Sequence, residues 1–324
     1  IFHSVMLSTP VGDNDLANLD PQDFAAEWKW DGIRVQLSRA GDTRKLYSRS
    51  GDDISGAFPD ILEAANFDGV IDGELLIGGT ARSNSATRTF SDLQQRLNRK
   101  TVTGRMMEEY PAFIRAYDLL FKGEEDIRGE TYLERRQHLT DLIETAPHDR
   151  FDLSPLVPFT SWQELDDLRK APPDPVIEGV MIKRKDSVYQ AGRAKGPWFK
   201  WKRDPFNIDA VMMYAQRGHG KRSSYYSDFT FGVWADGEDG EQLVPVGKAY
   251  FGFTDAELEV LDKFVRDNTV ERFGPVRAVR ATPSFGFVLE VAFEGINRSA
   301  RHKSGVAMRF PRIARLRADK LPSE

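Results

Sequence analysis

The chain has 324 residues, of which 40% are hydrophobic and 29% charged, with a formal net charge of −5. This balance is typical of a globular protein and excludes a disordered or fibrous one. The length suggests two domains. No apolar run approaches the roughly 18 residues of a membrane span, so we expect no membrane partner. The absence of cysteine excludes disulfide frameworks, thiolate zinc sites and cysteine nucleophiles.

Strand signals recur before residue 203. Apolar and polar residues alternate at Arg34–Arg39, which predicts a half-buried strand. Mainly apolar segments predict buried strands at Gly69–Ile77, Ala112–Phe121 and Val176–Ile182. Helical segments between these strands indicate a mixed α and β domain.

Two helices in this part carry start signals. Thr131 is followed by Glu134, and Ser161 by Glu164. In each pair the hydroxyl and the carboxylate can satisfy each other's backbone N–H, which predicts a capping box. The prolines within 172–175 are expected to end the second helix.

The pattern changes after the segment Arg203–Asn207. Short strands and one helix follow, with predicted strands at Ile208–Ala215, Phe229–Trp234 and Leu243–Tyr250, a helix at Thr254–Asn268, and further strands from Phe287 onward. Short strands with one helix predict a small β-barrel. We therefore place one domain at 1–203 and a second at 204–324.

Basic residues are concentrated in two runs. Met181–Arg203 contains eight Lys or Arg and one acid, and Arg298–Lys320 contains eight and one acid. One such run is most often a solvated surface. Two runs, the first of which also carries Trp198 and Trp201, favour a phosphate-rich partner.

The segment Glu27–Arg34 contains the string Lys-x-Asp-Gly, which alone would occur by chance in roughly one in ten chains of this length. Six further motifs follow it in order: Tyr47–Gly51 with Phe58–Asp60, Asp72–Glu74, Ala116–Phe121, Glu178–Lys183, Trp198–Lys202 and Arg309–Lys320. This series resembles the motifs of ATP-dependent DNA ligases, within the covalent nucleotidyltransferases that also include RNA ligases and mRNA capping enzymes. The resemblance implies an α+β fold: an adenylation (nucleotidyltransferase) domain with mainly antiparallel sheets and flanking helices, followed by an OB-fold β-barrel.

The residues themselves suggest a chemistry for Lys29. A lysine that attacks a phosphate must be an unprotonated amine, whereas its reference pKa is about 10.4. Nearby cations such as Arg34, Lys200 and Lys202, or a bound metal, disfavour the ammonium form. Lys200 and Lys202 are two apart in a predicted strand, so both would face one side while Trp201 faces the core.

Two acids are candidates for a metal site. Glu74 and Glu178 each adjoin a glycine on a predicted strand. Converging carboxylates provide the oxygen ligands that Mg²⁺ prefers, although either acid could instead be a surface acid or a salt-bridge partner.

The resemblance assigns roles to these residues. It implies that Lys29 becomes adenylated, that Glu74 and Glu178 are metal-linked acids, and that Lys200 and Lys202 contact phosphate.

Further nucleotide contacts are implied by the resemblance. They comprise Glu27 and Trp28 beside the nucleophile, Arg34 and Arg49 for the ribose or the nick 5′-phosphate, and Tyr117 stacked on adenine. Met181 would close the other side of the base, with core packing as the alternative.

In the C-terminal run, Arg317 and Lys320 with Asp319 match the last motif of the family. The resemblance implies that this motif orients the leaving pyrophosphate. Arg309, Arg312 and Arg315 are expected to contact the DNA backbone.

The implied function is ATP-dependent sealing of nicked duplex DNA, with ATP and Mg²⁺, or Mn²⁺ in its place, as cofactors. We expect a monomer that acts in DNA repair, replication or recombination in the cytoplasm of a bacterium or archaeon, near the nucleoid. The alternatives are an RNA ligase or capping-type guanylyltransferase and a non-catalytic nucleic-acid-binding module. An NAD-dependent ligase is disfavoured because no cysteine is present for a zinc module.

Longer members of the family have a helical DNA-encircling domain before the segment that resembles Ser4–Pro10. The chain is therefore expected to be either a minimal ligase or a catalytic core taken from a longer chain. A core of this kind would lack its N-terminal DNA-binding domain or depend on a repair partner. A core alone should bind nicks weakly and with a steep salt dependence.

Overall fold

The computed structural model describes residues 1–80, 83 and 85–324, and the backbone divides into two compact units, Ile1–Arg203 and Asp204–Glu324. Within the described residues, no helix is both long and apolar enough to cross a membrane.

The first unit combines two sheets with short helices. Its strands are β1 (Thr9–Pro10), β2 (Phe24–Trp30), β3 (Ile33–Ala40), β4 (Thr43–Ser48), β5 (Gly69–Ile77), β6 (Ala112–Lys122), β7 (Glu125–Asp126), β8 (Phe151–Leu153), β9 (Ile177–Arg184) and β10 (Trp198–Lys202). Its helices are α1 (Pro59–Ala64), α2 (Phe90–Gln94), α3 (Gly104–Glu109), α4 (Tyr132–Thr145) and α5 (Trp162–Lys170).

The strands form sheets with the orders β1-β10-β9-β2 and β4-β3-β5-β6-β7, and β8 pairs with β6. The pairs β1–β10 and β6–β8 are parallel, whereas the other named pairs of this unit are antiparallel. The predicted α+β class with mainly antiparallel sheets is confirmed. The strand β5 has the predicted bounds.

The N-terminal cap of α4 agrees with the sequence prediction, whereas that of α5 agrees only in part. At α4, Thr131 Oγ1 accepts from the N–H of Glu134, and the Glu134 carboxylate accepts from the N–H of Thr131. At α5, Ser161 caps as predicted, but Glu164 accepts from Thr160 instead of Ser161. The second capping box was therefore predicted wrongly, because the Thr160 N–H and hydroxyl offer this carboxylate two donors, at 2.9 and 2.8 Å.

One face of the β2–β9–β10 sheet is apolar. Phe24, Val180, Ile182 and Phe199 are buried there, and Trp201 packs against them, as predicted. Because side chains alternate along a strand, the opposite face is left for polar residues. That polar face carries the candidate site.

The second unit consists mainly of antiparallel strands. They are β11 (Phe206–Arg217), β12 (Tyr226–Gly237), β13 (Gly240–Ala249), β14 (Thr269–Phe273), β15 (Val276–Val279), β16 (Val288–Phe293), β17 (Gly295–Arg298), β18 (Val306–Arg309) and β19 (Arg312–Leu316), with helix α6 (Asp255–Asn268) between β13 and β14. The main sheet has the order β13-β12-β11-β15-β14, and β16 joins β11 to β19. The N–H of Ile313 in β19 donates to the carbonyl of Phe251, just after β13, which brings distant ends of the strand order together.

The core of this unit lies between the curved sheet and α6. Phe229, Phe231, Leu261 and Val265 are fully buried in it. The strands β14 and β15 were not predicted from the sequence. Every residue of β14 after Thr269 is exposed, so this edge strand lacks the alternating apolar pattern that marks a half-buried strand.

Candidate active site

Strand register brings the predicted basic residues together on the polar face of the β2–β9–β10 sheet. Lys29 of β2 lies opposite Gly179 of β9, which lies opposite Lys202 of β10. One step along the sheet, Met181 stands between Glu27 and Lys200. Lys29, Lys200 and Lys202 therefore share one face.

Gly179 allows β9 and β10 to approach closely. A Cβ atom built on it would overlap the carbonyl oxygen of Trp201 and lie 2.6 Å from the Cα of Lys202. Any side chain at this position would push β10 away from β9.

An irregularity in the β2–β9 pairing turns Glu178 toward the site. Lys29 pairs with Gly179 and Trp30 with Ile177, so Glu178 is one extra residue on β9. Such a bulge redirects a side chain that strict alternation would place on the other face. The Glu178 carboxylate consequently forms an ion pair with Nζ of Lys29.

The second acid comes from the other sheet. Glu74 lies on β5 beside Arg34 of β3, and the Tyr117 hydroxyl lies 3.4 Å from its Oε2. Burial raises the pKa of Glu74 to about 8, with Glu178 adding to the rise and Lys29 opposing it. The two carboxylates thus repel each other electrostatically, and both interact with the ammonium group of Lys29.

These two carboxylates fit a divalent cation. The raised pKa of Glu74 shows a carboxylate whose charge its surroundings do not fully compensate, and a cation would supply that compensation. Among the described residues no group of three or more His, Asp or Glu side chains gathers as a metal site. A metal here would therefore depend on oxygen ligands beyond the protein, as Mg²⁺ commonly does.

The lysines of β10 lie in a strongly positive environment. Burial lowers the pKa of Lys200, and the charges of Lys202, Lys29, Arg193 and Arg49 lower it further. Four cations thus act on the Lys200 ammonium, an arrangement that an anion such as a triphosphate would stabilise. Arg193 was not predicted as a site residue; its place in the first basic run was the available signal.

Arg34 is held rigidly by Asp72, a motif residue to which the sequence analysis assigned no role. Its guanidinium donates to both oxygens of Asp72 at 2.9 and 2.5 Å and to the carbonyl of Met6 at 2.6 Å. The hydroxyl of Tyr189 donates to Asp72 at 2.7 Å. Asp72 is fully buried, so this network fixes the orientation of Arg34.

The residues expected around a base also lie near one another. Nζ of Lys183 is 4.7 Å from the centre of the Tyr117 ring and 2.7 Å from Oε2 of Glu27. Glu27 and Met181 are partners across the strands. Trp28 differs from its neighbours, because its side chain packs against the apolar cores on the opposite side of the sheet from Lys29.

In the second unit the predicted site residues are engaged in ion pairs. Arg317 donates to Asp319 at 2.9 and 2.8 Å, and Lys320 to Asp209 at 2.6 Å. Arg312 pairs with Glu294 and Arg315 with Glu290, each at 3.1 Å. The guanidinium of Arg309 lies 5.3 Å from the centre of the exposed Phe310 ring.

Comparison with known proteins gives two family matches. Residues 5–202 match the ATP dependent DNA ligase domain, and residues 222–320 match the ATP dependent DNA ligase C terminal region. A probable DNA ligase of Koribacter versatilis is 35% identical over 99% of this chain, and a DNA ligase of Methanococcoides burtonii is 31% identical over 99%. The chain spans only 58% and 55% of the lengths of these two relatives.

Solved structures give the same fold. Mycobacterial DNA ligase D, complexed with ATP and MES, is 25% identical with a TM-score of 0.51, and the match covers 99% of this chain and 97% of that one. A Lig E DNA ligase, 19% identical with a TM-score of 0.65 over 98% of this chain and all of that one, shares the fold. Because the first family match alone covers more than half of the residues, the chain belongs to the ATP-dependent DNA ligase family.

Proposed function

We propose that this chain seals nicks in duplex DNA with ATP, through an AMP bound covalently to Lys29. The observation that supports the proposal is the set of charges around Lys29. Its ammonium group pairs with Glu178 and interacts electrostatically with Glu74, and it shares its sheet face with Lys200 and Lys202. A single amine between two acids and a group of cations suits an attack on a metal-bound triphosphate.

In the first step, the neutral amine of Lys29 attacks the α-phosphorus of ATP. An N–P bond forms, the bond to the β-phosphate oxygen breaks, and pyrophosphate leaves. Lys200 and Lys202, spaced to flank one phosphate, would stabilise negative charge that builds up during the displacement. Glu74 and Glu178 would hold Mg²⁺, or Mn²⁺ in its place, which supplies further charge neutralisation of the triphosphate.

The remaining steps use the bound AMP. The 5′-phosphate of a nick attacks the phosphorus of lysyl-AMP and releases the lysine. The 3′-hydroxyl then attacks the activated 5′-phosphate, seals the strand and releases AMP. Each step is a displacement at phosphorus, so positioning and charge neutralisation should supply most of the catalysis.

The other site residues have roles consistent with their surroundings. Tyr117 and Met181 would hold the adenine between them, while Glu27 and the backbone of Trp28 face its edge. Arg34, fixed by Asp72, and Arg49 would contact the ribose or the 5′-phosphate.

We assign adenylation to residues 1–203 and an OB-fold barrel to residues 204–324. In the barrel, Arg317 and Lys320 would orient the pyrophosphate, and Arg309, Arg312 and Arg315 would contact DNA. We propose a monomer that acts on nicked duplex DNA in the cytoplasm, consistent with relatives from bacteria and archaea.

Incubation with α-labelled ATP and Mg²⁺ tests the proposal. The chain should acquire acid-labile label, and Lys29→Ala should acquire none. Lys170→Ala is a matched control, since Lys170 is an exposed lysine paired with Asp166. Acid-labile label on Lys29→Ala would contradict the proposal. Preferential labelling by GTP, or sealing of nicked RNA in preference to DNA, would instead identify a guanylyltransferase or an RNA ligase.

A further inference from the structure

The carboxylate of Glu27 is held by a helix more than a hundred residues away in the sequence. The Tyr132 hydroxyl of α4 donates to Oε2 of Glu27 at 2.7 Å, and Arg136, one turn later, lies 3.4 Å from Oε1. Lys183 reaches Oε2 from β9 at 2.7 Å. Glu27 is only 1% exposed, so three donors compensate a buried negative charge.

Burial of the Glu27 carboxylate has a free-energy cost, which suggests that the charge has a function. Removing a carboxylate from water costs several kcal/mol, and a well-packed apolar group of similar size is often at least as stable. The face toward which Glu27 points suggests that use. It stands beside Met181 and two residues before Lys29, so a nucleotide with its phosphate at Lys29 and its base against Met181 would present the edge of that base to Glu27.

Arg136 also connects this carboxylate to the strand of the expected stacking ring. Its Nη2 donates to the carbonyl of Ser154 at 2.5 Å, and the N–H of Ser154 donates to the carbonyl of Ala116 at 2.8 Å. Ala116 precedes Tyr117 on β6. Helix α4 therefore ties the base-edge carboxylate and the ring that would stack on the base into one rigid unit.

We propose that Tyr132 and Arg136 are positioning residues that set the choice between adenine and guanine by fixing the Glu27 carboxylate. The proposal rests on the proposed function, because it requires that Lys29 take AMP from a nucleotide. A fixed carboxylate accepts a hydrogen bond from the 6-amino group of adenine and repels the 6-oxo group of guanine. A carboxylate released from α4 can turn toward the N1–H of guanine, which is a donor.

The burial of Tyr132 supports this role. Burial raises the pKa of Tyr132 well above its ordinary value, with the charge of Glu27 adding to the effect. The phenol accordingly keeps its proton and remains a hydrogen-bond donor to the carboxylate at any pH at which a ligase would work.

Base selectivity of covalent labelling tests the proposal. Tyr132→Phe and Arg136→Lys are incubated with α-labelled ATP or GTP and Mg²⁺, and the rates of lysyl-nucleotide formation are compared in single turnover. The ATP-to-GTP ratio should fall by about tenfold or more in each variant, as expected for loss of a hydrogen bond to a charged group. The loss should come mainly from a faster reaction with GTP and a weaker affinity for ATP.

Two matched controls separate positioning from folding. Arg135 is the neighbouring arginine of α4, is fully buried and pairs with Asp118 at 2.8 Å; Arg135→Lys should lower the melting temperature and leave the ratio unchanged. Tyr226→Phe alters a buried tyrosine of the second unit and should also leave the ratio unchanged. Should Tyr132→Phe fail to fold, Arg136→Lys carries the test, since it keeps the charge and removes the bidentate geometry.

The outcomes are distinct. Retained ATP labelling with an unchanged ATP-to-GTP ratio in both variants would overturn the role of Tyr132 and Arg136 while leaving the proposed function intact. Absence of any label on the unaltered chain would instead contradict the proposed function itself. A fallen ratio in the Arg135→Lys control as well would also overturn the proposal, because the effect would then follow from disturbance of the helix.

Discussion

Charged groups at the candidate site of the first unit and at the C-terminal end of the second unit have pKa values shifted in opposite directions. In the first unit burial raises the pKa of Glu74 to about 8 and lowers the pKa of Lys200. In the second unit the hydrogen bond from Arg317 lowers the pKa of Asp319 to about 2, and the pKa of Arg317 is raised. The candidate site of the first unit holds charges that are poorly compensated, whereas Arg317 and Asp319 of the second unit compensate each other.

The difference shows that two basic runs of similar composition can serve different purposes. Lys200 and Lys202 of the first run lie among other cations, and their mutual repulsion is sustained by the fold. Arg312, Arg315 and Lys320 of the second run are paired with Glu294, Glu290 and Asp209. Uncompensated charge is typical of a site that binds a charged ligand. Exposed ion pairs, by contrast, contribute little to stability, and their cations can bind another anion only if it displaces the paired acid.

The largest expected effect comes from removing the repelling lysines. Lys200→Met and Lys202→Met should each slow lysyl-AMP formation by about 10²–10³-fold, as for loss of one group that stabilises transition-state charge. Single-turnover labelling with ATP measures this rate. Arg315→Met removes a cation of the second run and should change the rate less than about threefold. Equal losses in both runs would contradict the comparison.

A moderate effect is expected in the dependence of stability on pH. The Glu74 carboxyl has a pKa near 4.5 when unfolded and about 8 when folded, so its stabilising contribution is full below 4.5 and is lost as pH rises through 8. The melting temperature should therefore fall by several degrees between pH 5.5 and 8.5 in buffer without metal or nucleotide. Glu74→Gln should reduce this fall.

Asp319 provides the contrasting control for that measurement. Its folded pKa is about 2, below the ordinary 3.8, so its contribution is present above 3.8 and is lost only as pH falls through 2. Asp319→Asn should keep the slope of the unaltered chain between pH 5.5 and 8.5. A wild-type slope in Glu74→Gln would show that the Glu74 carboxyl is not the group responsible.

The smallest effect is expected at Arg315. This side chain is 61% exposed and pairs with a partly buried Glu290, so Arg315→Met should change the free energy of unfolding by less than about 1 kcal/mol. If Arg315 contacts a phosphate, the same variant should weaken nicked-DNA binding and reduce the slope of log affinity against log salt by about 1. An unchanged salt slope would exclude that contact. Urea denaturation and fluorescence titration measure the two quantities.

Sequence patterns predicted those parts of the fold whose signals are local. The mainly apolar sequence of β5 predicted its bounds, and the spacing by two predicted the shared face of Lys200 and Lys202. The strand β2 was not predicted, because its inward-facing Glu27 and Lys29 interrupt the apolar pattern. Polar residues at a site break the regularity by which strands are recognised.

Within the candidate site, motif spacing indicated Lys29, Lys200 and Lys202 but not which side chains contact them. The bulge that turns Glu178 toward Lys29 depends on register between strands about 150 residues apart, which no local pattern encodes. The contacts of Tyr132 and Arg136 with Glu27 have the same origin, since both residues occupy ordinary helix positions in the sequence. Long-range pairing decides these contacts, and it is visible only in the fold.

Gly179 has a consequence for recognising inactive relatives. It lies between Lys29 and Lys202 in the strand register, and one added methyl group would overlap the backbone of Trp201 and push Lys202 away from β9. A descendant with alanine here would keep every charged residue of the centre and still hold them at unproductive distances. Conserved acids and lysines alone would classify such a chain as an active enzyme. The residue at position 179 must therefore also be inspected before a relative is considered active.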